Sequence, residues 1–91
     1  MIYKVLMFSA SWCGPCQKAK PKFKELGERY AELAEFELLD VDENAELAQK
    51  HMIRSVPCFV MLQEGEEALR SVGNLEQIEK ALRLVQGGPN V

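Results

Sequence analysis

Trp12-Cys13-Gly14-Pro15-Cys16 is the stretch that most narrows what this chain can fold into, because it joins an apolar run to a helical pattern. Ile2 to Phe8 is rich in β-formers and nearly all apolar, as a central strand covered on both faces should be. From Cys16 onward Ala19, Phe23, Leu26, Tyr30 and Leu33 recur at helical spacing, which predicts a long helix with one face on a sheet. The cysteines stand at the junction. At i and i+3 they lie on one helix face, so a bridge can close with little backbone movement. Pro15 suits the first helical turn, where its missing N–H would have had no partner. Four unpaired N–H groups and the positive end of the helix dipole then face Cys13 and favour thiolate over thiol. Cys13 is therefore the expected nucleophile.

A low-pKa sulfur also leaves well, so such a pair can pass a disulfide in either direction according to redox poise. Zinc would need four ligands, and only Cys58 and His51 remain to complete a set, so no metal is expected. A permanent bridge over so tight a loop would gain little. Cys-x-x-Cys beside a βαβ pattern instead points to redox chemistry.

Ninety-one residues allow one domain with one modest core, expected over 1–86 and followed by a disordered tail over 87–91. A net charge of -3 offers no general attraction to nucleic acid or anionic membrane, so neither is an expected partner. The start could pass for a signal peptide with Lys4 as its charged region, but it is too short. Cleavage near Ser9-Ala10-Ser11 would also leave the cysteines at a frayed terminus. The cytosol is the expected compartment.

Pro21 falls inside the first helix and should bend it near its second turn. Lys18 with Lys22, and Lys20 with Lys24, form two i,i+4 rows, read as a solvated face, with docking of acidic partners as the alternative. Phe36 to Val41 is a second strand, parallel to the first through a right-handed crossover. Asn44 is placed to cap a short helix through about Met52, with Leu47, Ala48 and His51 inward. His51 reads as a helix-end histidine favoured by the dipole, with a base for the thiols as the alternative. Val56 to Leu62 is a strand led by Pro57, Glu64-Gly65-Glu66 turns the chain, and Ala68 to Val72 completes a hairpin. After Gly73, Asn74 and Gln77 form a capping-box pattern for a last helix whose core stripe is Leu75, Ile78, Leu82 and Val85. Cys58 reads as a buried small hydrophobe, with a redox-sensitive third thiol as the alternative.

Together, Trp12-Cys13-Gly14-Pro15-Cys16, Pro21, Val56-Pro57 and Val72-Gly73 resemble the thioredoxin family over nearly the whole chain. The strand and helix with which most thioredoxins begin are missing, so the chain is similar to the short form. Glutaredoxins share that compact size but usually carry proline and tyrosine between the cysteines. The resemblance implies an α/β thioredoxin-like fold, a four-stranded mixed sheet flanked by three helices in the order βαβαββα. It implies a protein-disulfide reductase, monomeric and without cofactor, in which Cys13 attacks and Cys16 resolves. Its expected partners are disulfide-containing proteins and thioredoxin reductase or a similar electron donor. It further implies that Pro57 is cis and faces the disulfide, that Val56 offers its backbone to a substrate segment, and that Trp12, Gly14, Pro15, Val72 and Gly73 complete the substrate groove. A disulfide oxidase or isomerase, a glutaredoxin-like enzyme, and a non-catalytic interaction module remain as alternatives. Met7 stands where thioredoxins usually bury an aspartate, Leu38 where they place its lysine, and Ser9 where they carry a second tryptophan.

Overall fold

β1 (Tyr3–Ser9) occupies an interior place in a four-stranded sheet, flanked by β2 (Ala34–Asp40) on one side and β3 (Cys58–Gln63) on the other. β4 (Glu66–Val72) completes the order β2-β1-β3-β4, and the helices are α1 (Gly14–Arg29), α2 (Ala45–Lys50) and α3 (Glu76–Gly87). These elements come from a computed structural model that describes residues 2–87. The βαβαββα order is the thioredoxin-like architecture expected from the sequence. β1 runs parallel to β2, from Tyr3 opposite Ala34 to Ser9 opposite Asp40, and antiparallel to β3.

Alternation along β1 divides the core in two. Val5 and Met7 point to a cluster with Cys16, Phe23 and Leu26 of α1 and Ile78 and Leu82 of α3. Leu6 and Phe8 point the other way, against Leu39, Val60, Cys58 and Ala48 of α2. β1 is thus covered on both faces, which is why its sequence is a continuous apolar run rather than an alternating one. α1 continues on both sides of Pro21. Lys22 is ion-paired to Glu25 at 3.2 Å and to Glu79 at 3.6 Å, and Lys20 donates to Gln17, so these lysines have neighbours of their own.

Several expected boundaries move. α1 stops at Arg29 instead of reaching Leu33, because the Leu33 and Ala34 N–H groups both turn back to the Tyr30 carbonyl and reverse the chain into β2. The short helix ends at Lys50, two residues before Met52, which takes a left-handed conformation at φ 52°. Asn44 holds the cap position of α2, but its side chain donates to the Asp40 carbonyl and caps nothing. The Asp40 carboxylate does the work ahead of it, accepting from the N–H groups of Asp42 and Glu43. Asn74 accepts from the Glu76 N–H, while the return bond from Gln77 is not formed among the described residues. α3 takes in Gly87, and the rest of the expected tail, 88–91, lies outside the described residues.

Candidate active site

β1 delivers the cysteines to one end of the sheet. After Ser9 the Cys13 N–H turns back to the Ala10 carbonyl, and Cys13 becomes the N-cap of α1 in an extended conformation. Its Sγ accepts the Cys16 N–H at 3.1 Å, so an otherwise unpaired donor of the first turn points at this sulfur. Cys13 and Cys16 are joined as a disulfide, with Cα atoms 5.3 Å apart. No acidic residue stands in the first turn of α1, so nothing there opposes a negative sulfur.

The start of β3 comes to the same end, because β3 runs antiparallel to β1. Val56–Pro57 is a cis peptide, and the Val56 carbonyl oxygen lies 3.8 Å from Cys13 Sγ. Gly73, at φ +89°, donates its N–H to the Pro57 carbonyl at 2.9 Å, which ties the end of β4 to the lead of β3. Val72 pairs with Cys58 in the ladder and leaves its side chain exposed. Trp12 is exposed as well, and its indole N–H donates to Asp42 Oδ2 at 3.2 Å. A side chain added at Gly14 would meet no atom within 4 Å, so the space in front of the helix start is open. Pro15 is exposed beside it.

An open helix end should leave Cys13 exposed, yet only 5% of its surface is accessible, against none for Cys16. The reason is its position between the motif turn and the Val56 carbonyl, which together close over the sulfur. Sequence reasoning also missed Asp42. An acidic residue just beyond β2, at the sheet end where β1 carries Trp12, was the available signal.

Met7 is fully buried in the cluster that holds Cys16, opposite Leu38 of β2 and Phe59 of β3. The buried polar residues are Ser9 and Ser71, so no carboxylate is buried with Cys16 among the described residues. Leu38 is half exposed, on the rim of a trough of about 690 Å³ lined in part by Lys20, Phe23, Lys24 and Phe36. That trough lies along α1 and β2 and includes neither cysteine.

Cys58 faces the opposite cluster, where burial pushes its thiol pKa up. It packs as the small hydrophobe. His51 caps the C-terminal end of α2 with its ring 5.8 Å from that of Phe8, a side chain of that same second cluster. A helix-end position favours a raised pKa, whereas that of His51 is lowered, first by burial and then by the Lys50 charge. Among the described residues, no group of three or more His, Cys, Asp or Glu side chains could hold a metal ion, and no helix is long and apolar enough to cross a membrane.

Comparison with known proteins supports the arrangement. The family model for thioredoxin matches residues 2–84. A rice protein, thioredoxin H2-1 of Oryza sativa, is 42% identical over 83 residues, covering 90% of this chain and 59% of its own. Thioredoxin-2 of Saccharomyces cerevisiae is 39% identical over 79 residues, covering 86% and 75%. The crystal structure of Fasciola hepatica thioredoxin superposes with a TM-score of 0.82 at 34% identity, over 89% of this chain and 78% of that one. The chain thus spans about three fifths of the length of the rice relatives it matches. With a cysteine pair at disulfide distance on a helix start beside a cis proline, in the fold of these relatives, the chain belongs to the thioredoxin family.

Proposed function

We propose that this protein is a thiol-disulfide oxidoreductase that reduces protein disulfides through Cys13 and Cys16. The observation that carries the reading is the Cys16 N–H aimed at Cys13 Sγ within a bridged pair at a helix start. In the reduced protein that donor and the helix dipole favour a Cys13 thiolate. The thiolate attacks one sulfur of a substrate disulfide, forms a mixed disulfide and expels the other substrate sulfur as a thiolate, which takes up a proton. Cys16 then loses its proton and attacks Cys13 Sγ, which releases the second substrate thiol and regenerates the Cys13–Cys16 bridge. Two electrons and two protons pass to the substrate. The oxidised pair is returned to the dithiol by thioredoxin reductase or a similar two-electron donor.

The substrate lies as an extended segment along Val56, whose carbonyl borders Cys13, between Trp12 and the Val72–Gly73 edge. Pro57 and Pro15 shape the two sides of that groove, and the open space at Gly14 admits the incoming sulfur. The protein acts in the cytosol as a monomer, needs no cofactor, and has neither nucleic acid nor membrane as a partner; its net charge of -3 supports the last point. Insulin reduction with dithiothreitol tests the reading. The parent is expected to accelerate it, Cys13→Ser to lose the acceleration, and Cys16→Ser to accumulate mixed disulfides. Mixed disulfides recovered equally with Cys13→Ser would instead favour a non-catalytic interaction module.

A further inference from the structure

Charge is distributed unevenly along the rim that carries Cys13. With strands in the order β2-β1-β3-β4, this rim runs from Asp42 beyond β2, past Trp12 and Cys13 beyond β1, to Val56 ahead of β3 and Val72 at the end of β4. Asp42 and Glu43 are exposed at the first end. At the other end is a hollow of about 450 Å³ whose lining includes Met52, Arg54 and Val72. Met52 and Val72 are both exposed apolar side chains, so the hollow offers greasy contact beside a cation.

Two arginines reach this hollow, and their circumstances differ. Arg70 is engaged: it donates to Glu67, which lines the same hollow and is neutralised by this pair at 2.8 Å, and to the backbone carbonyls of His51 and Met52, so Arg54 carries the hollow's unbalanced charge. Arg54 is exposed and, among the described residues, has no carboxylate within ion-pairing distance. It stands two residues before Val56. The chain bends at Ser55, Val56 and Pro57, so Arg54 is placed by the hollow it shares with Val72 rather than by strand spacing; in an extended substrate segment two residues span about 7 Å and return the side chain to the same face. A segment laid along Val56 with its cysteine turned to Cys13, and continuing past Val72, therefore turns the residue two positions away toward the hollow that Arg54 lines.

We propose that Arg54 is a specificity-determining residue, favouring disulfide-bearing segments with Asp or Glu two positions from the attacked cysteine on the flank that runs along Ser55 and Arg54. This rests on the proposed disulfide reductase activity. On the opposite flank the same acidic residue approaches Asp42 and Glu43, so only one flank gains. The flank that gains also gives the direction in which the segment runs.

The test uses three disulfide-bridged peptides: Glu two positions before the attacked cysteine, Glu two positions after it, and Gln at both places. The kcat/KM ratio of each Glu peptide to the Gln peptide is measured for the parent, Arg54→Gln, Arg54→Lys and Arg54→Glu. Dividing each parent ratio by the Arg54→Gln ratio removes what Glu does to the reactivity of its own disulfide. For one flank the quotient is expected at roughly 1.5 to 5, the range of a solvent-exposed ion pair, and for the other at one or below. Arg54→Lys should keep the preference, Arg54→Glu should invert it, and 1 M salt should erase most of it. Quotients near one on both flanks, with all peptides reduced, overturn the inference and leave the reductase reading standing. Failure of the parent to reduce any of the peptides overturns both.

Discussion

On the α1 side of the sheet Cys13 and Cys16 meet a helix start, while on the α2 side Cys58 meets packed side chains. Exposure does not separate the two environments, since Cys13, Cys16 and Cys58 retain 5%, 0% and 2% of their surface. The backbone does. Cys13 Sγ receives an N–H from the first turn of α1, whereas the Cys58 thiol is governed by desolvation, which raises its pKa. A buried cysteine becomes a usable nucleophile where a backbone donor of a helix start is aimed at its sulfur and stays inert where desolvation dominates.

The sharpest way to break that contrast is to remove each sulfur in turn. Cys13→Ser should bring insulin reduction down to the rate of dithiothreitol alone, while Cys58→Ser should keep it within about twofold of the parent at a temperature where both are folded, because the second cluster contributes no group to exchange. In the reduced parent near pH 7, iodoacetamide mapped by mass spectrometry should label Cys13 before Cys58. Equal labelling of the two would mean that the helix start confers nothing.

Next in size is Met7→Asp, which introduces a carboxyl into the dry cluster around Cys16. Loss of the methionine packing should cost about 2–5 kcal/mol at every pH. Desolvation should also raise the folded-state pKa of the new carboxyl above its unfolded value near 3.9. Below that unfolded value both states hold the proton and charge adds no penalty. As pH rises toward the folded pKa the penalty grows, by about 1.4 kcal/mol per unit of difference, and above it the penalty levels off. Denaturant melts from pH 4 to pH 9 should therefore diverge from the parent. Leu38→Lys, opposite residue 7 in the ladder and half exposed, should narrow the divergence by placing an ammonium within reach while keeping it wet. Parallel melting midpoints across the range would mean that position 7 is not dry.

Elements were legible wherever one periodicity ran uninterrupted. The continuous run in β1 and the three-and-four spacing of Phe23, Leu26 and Tyr30 each admit one reading, and a helix-length crossover between two strands leaves only the parallel arrangement. Ends were less legible, because Leu33 continues the spacing while the Tyr30 carbonyl has already turned the chain. Polar side chains were least legible, since each chooses among partners that only the fold supplies. Asn44 turns its amide to Asp40, Trp12 finds Asp42 thirty residues away, and burial lowers the pKa of His51 at the end of α2. The same holds for the Cys13 sulfur, which is bordered by the Val56 carbonyl from 43 residues away as well as by the motif's own turn.

A smaller effect is expected from Cys58→Ser. The hydroxyl would sit among Phe8, Val60 and Leu39 with its hydrogen-bonding capacity unmet, at a cost of about 1–3 kcal/mol. Cys58→Ala removes the sulfur without adding a polar atom and should cost less. Chemical melts of the two variants order them, and a serine variant as stable as the alanine one would mean that this face of the sheet is wetter than its burial indicates.

The smallest effect separates burial from charge at Cys58. Burial is the first cause of its raised pKa, the Arg70 charge opposes it, and Glu67 adds to it. Glu67→Gln therefore leaves the first cause in place and removes the third, so the thiol pKa should fall slightly and iodoacetamide labelling of Cys58 should still trail that of Cys13. The same variant tests the ion pair. The hydrogen bond from Arg70 holds the Glu67 carboxyl below its usual range. A depressed folded pKa contributes stability that is present above the unfolded value near 4.3 and is lost as pH falls through the folded pKa. With its carboxylate more than a third exposed, Glu67 should contribute less than about 1 kcal/mol after screening. Parent and Glu67→Gln should differ by that amount at pH 7 and converge as the pH drops below 4. A Cys58 that became as reactive as Cys13 in this variant would mean that charge, rather than burial, keeps the α2 face inert.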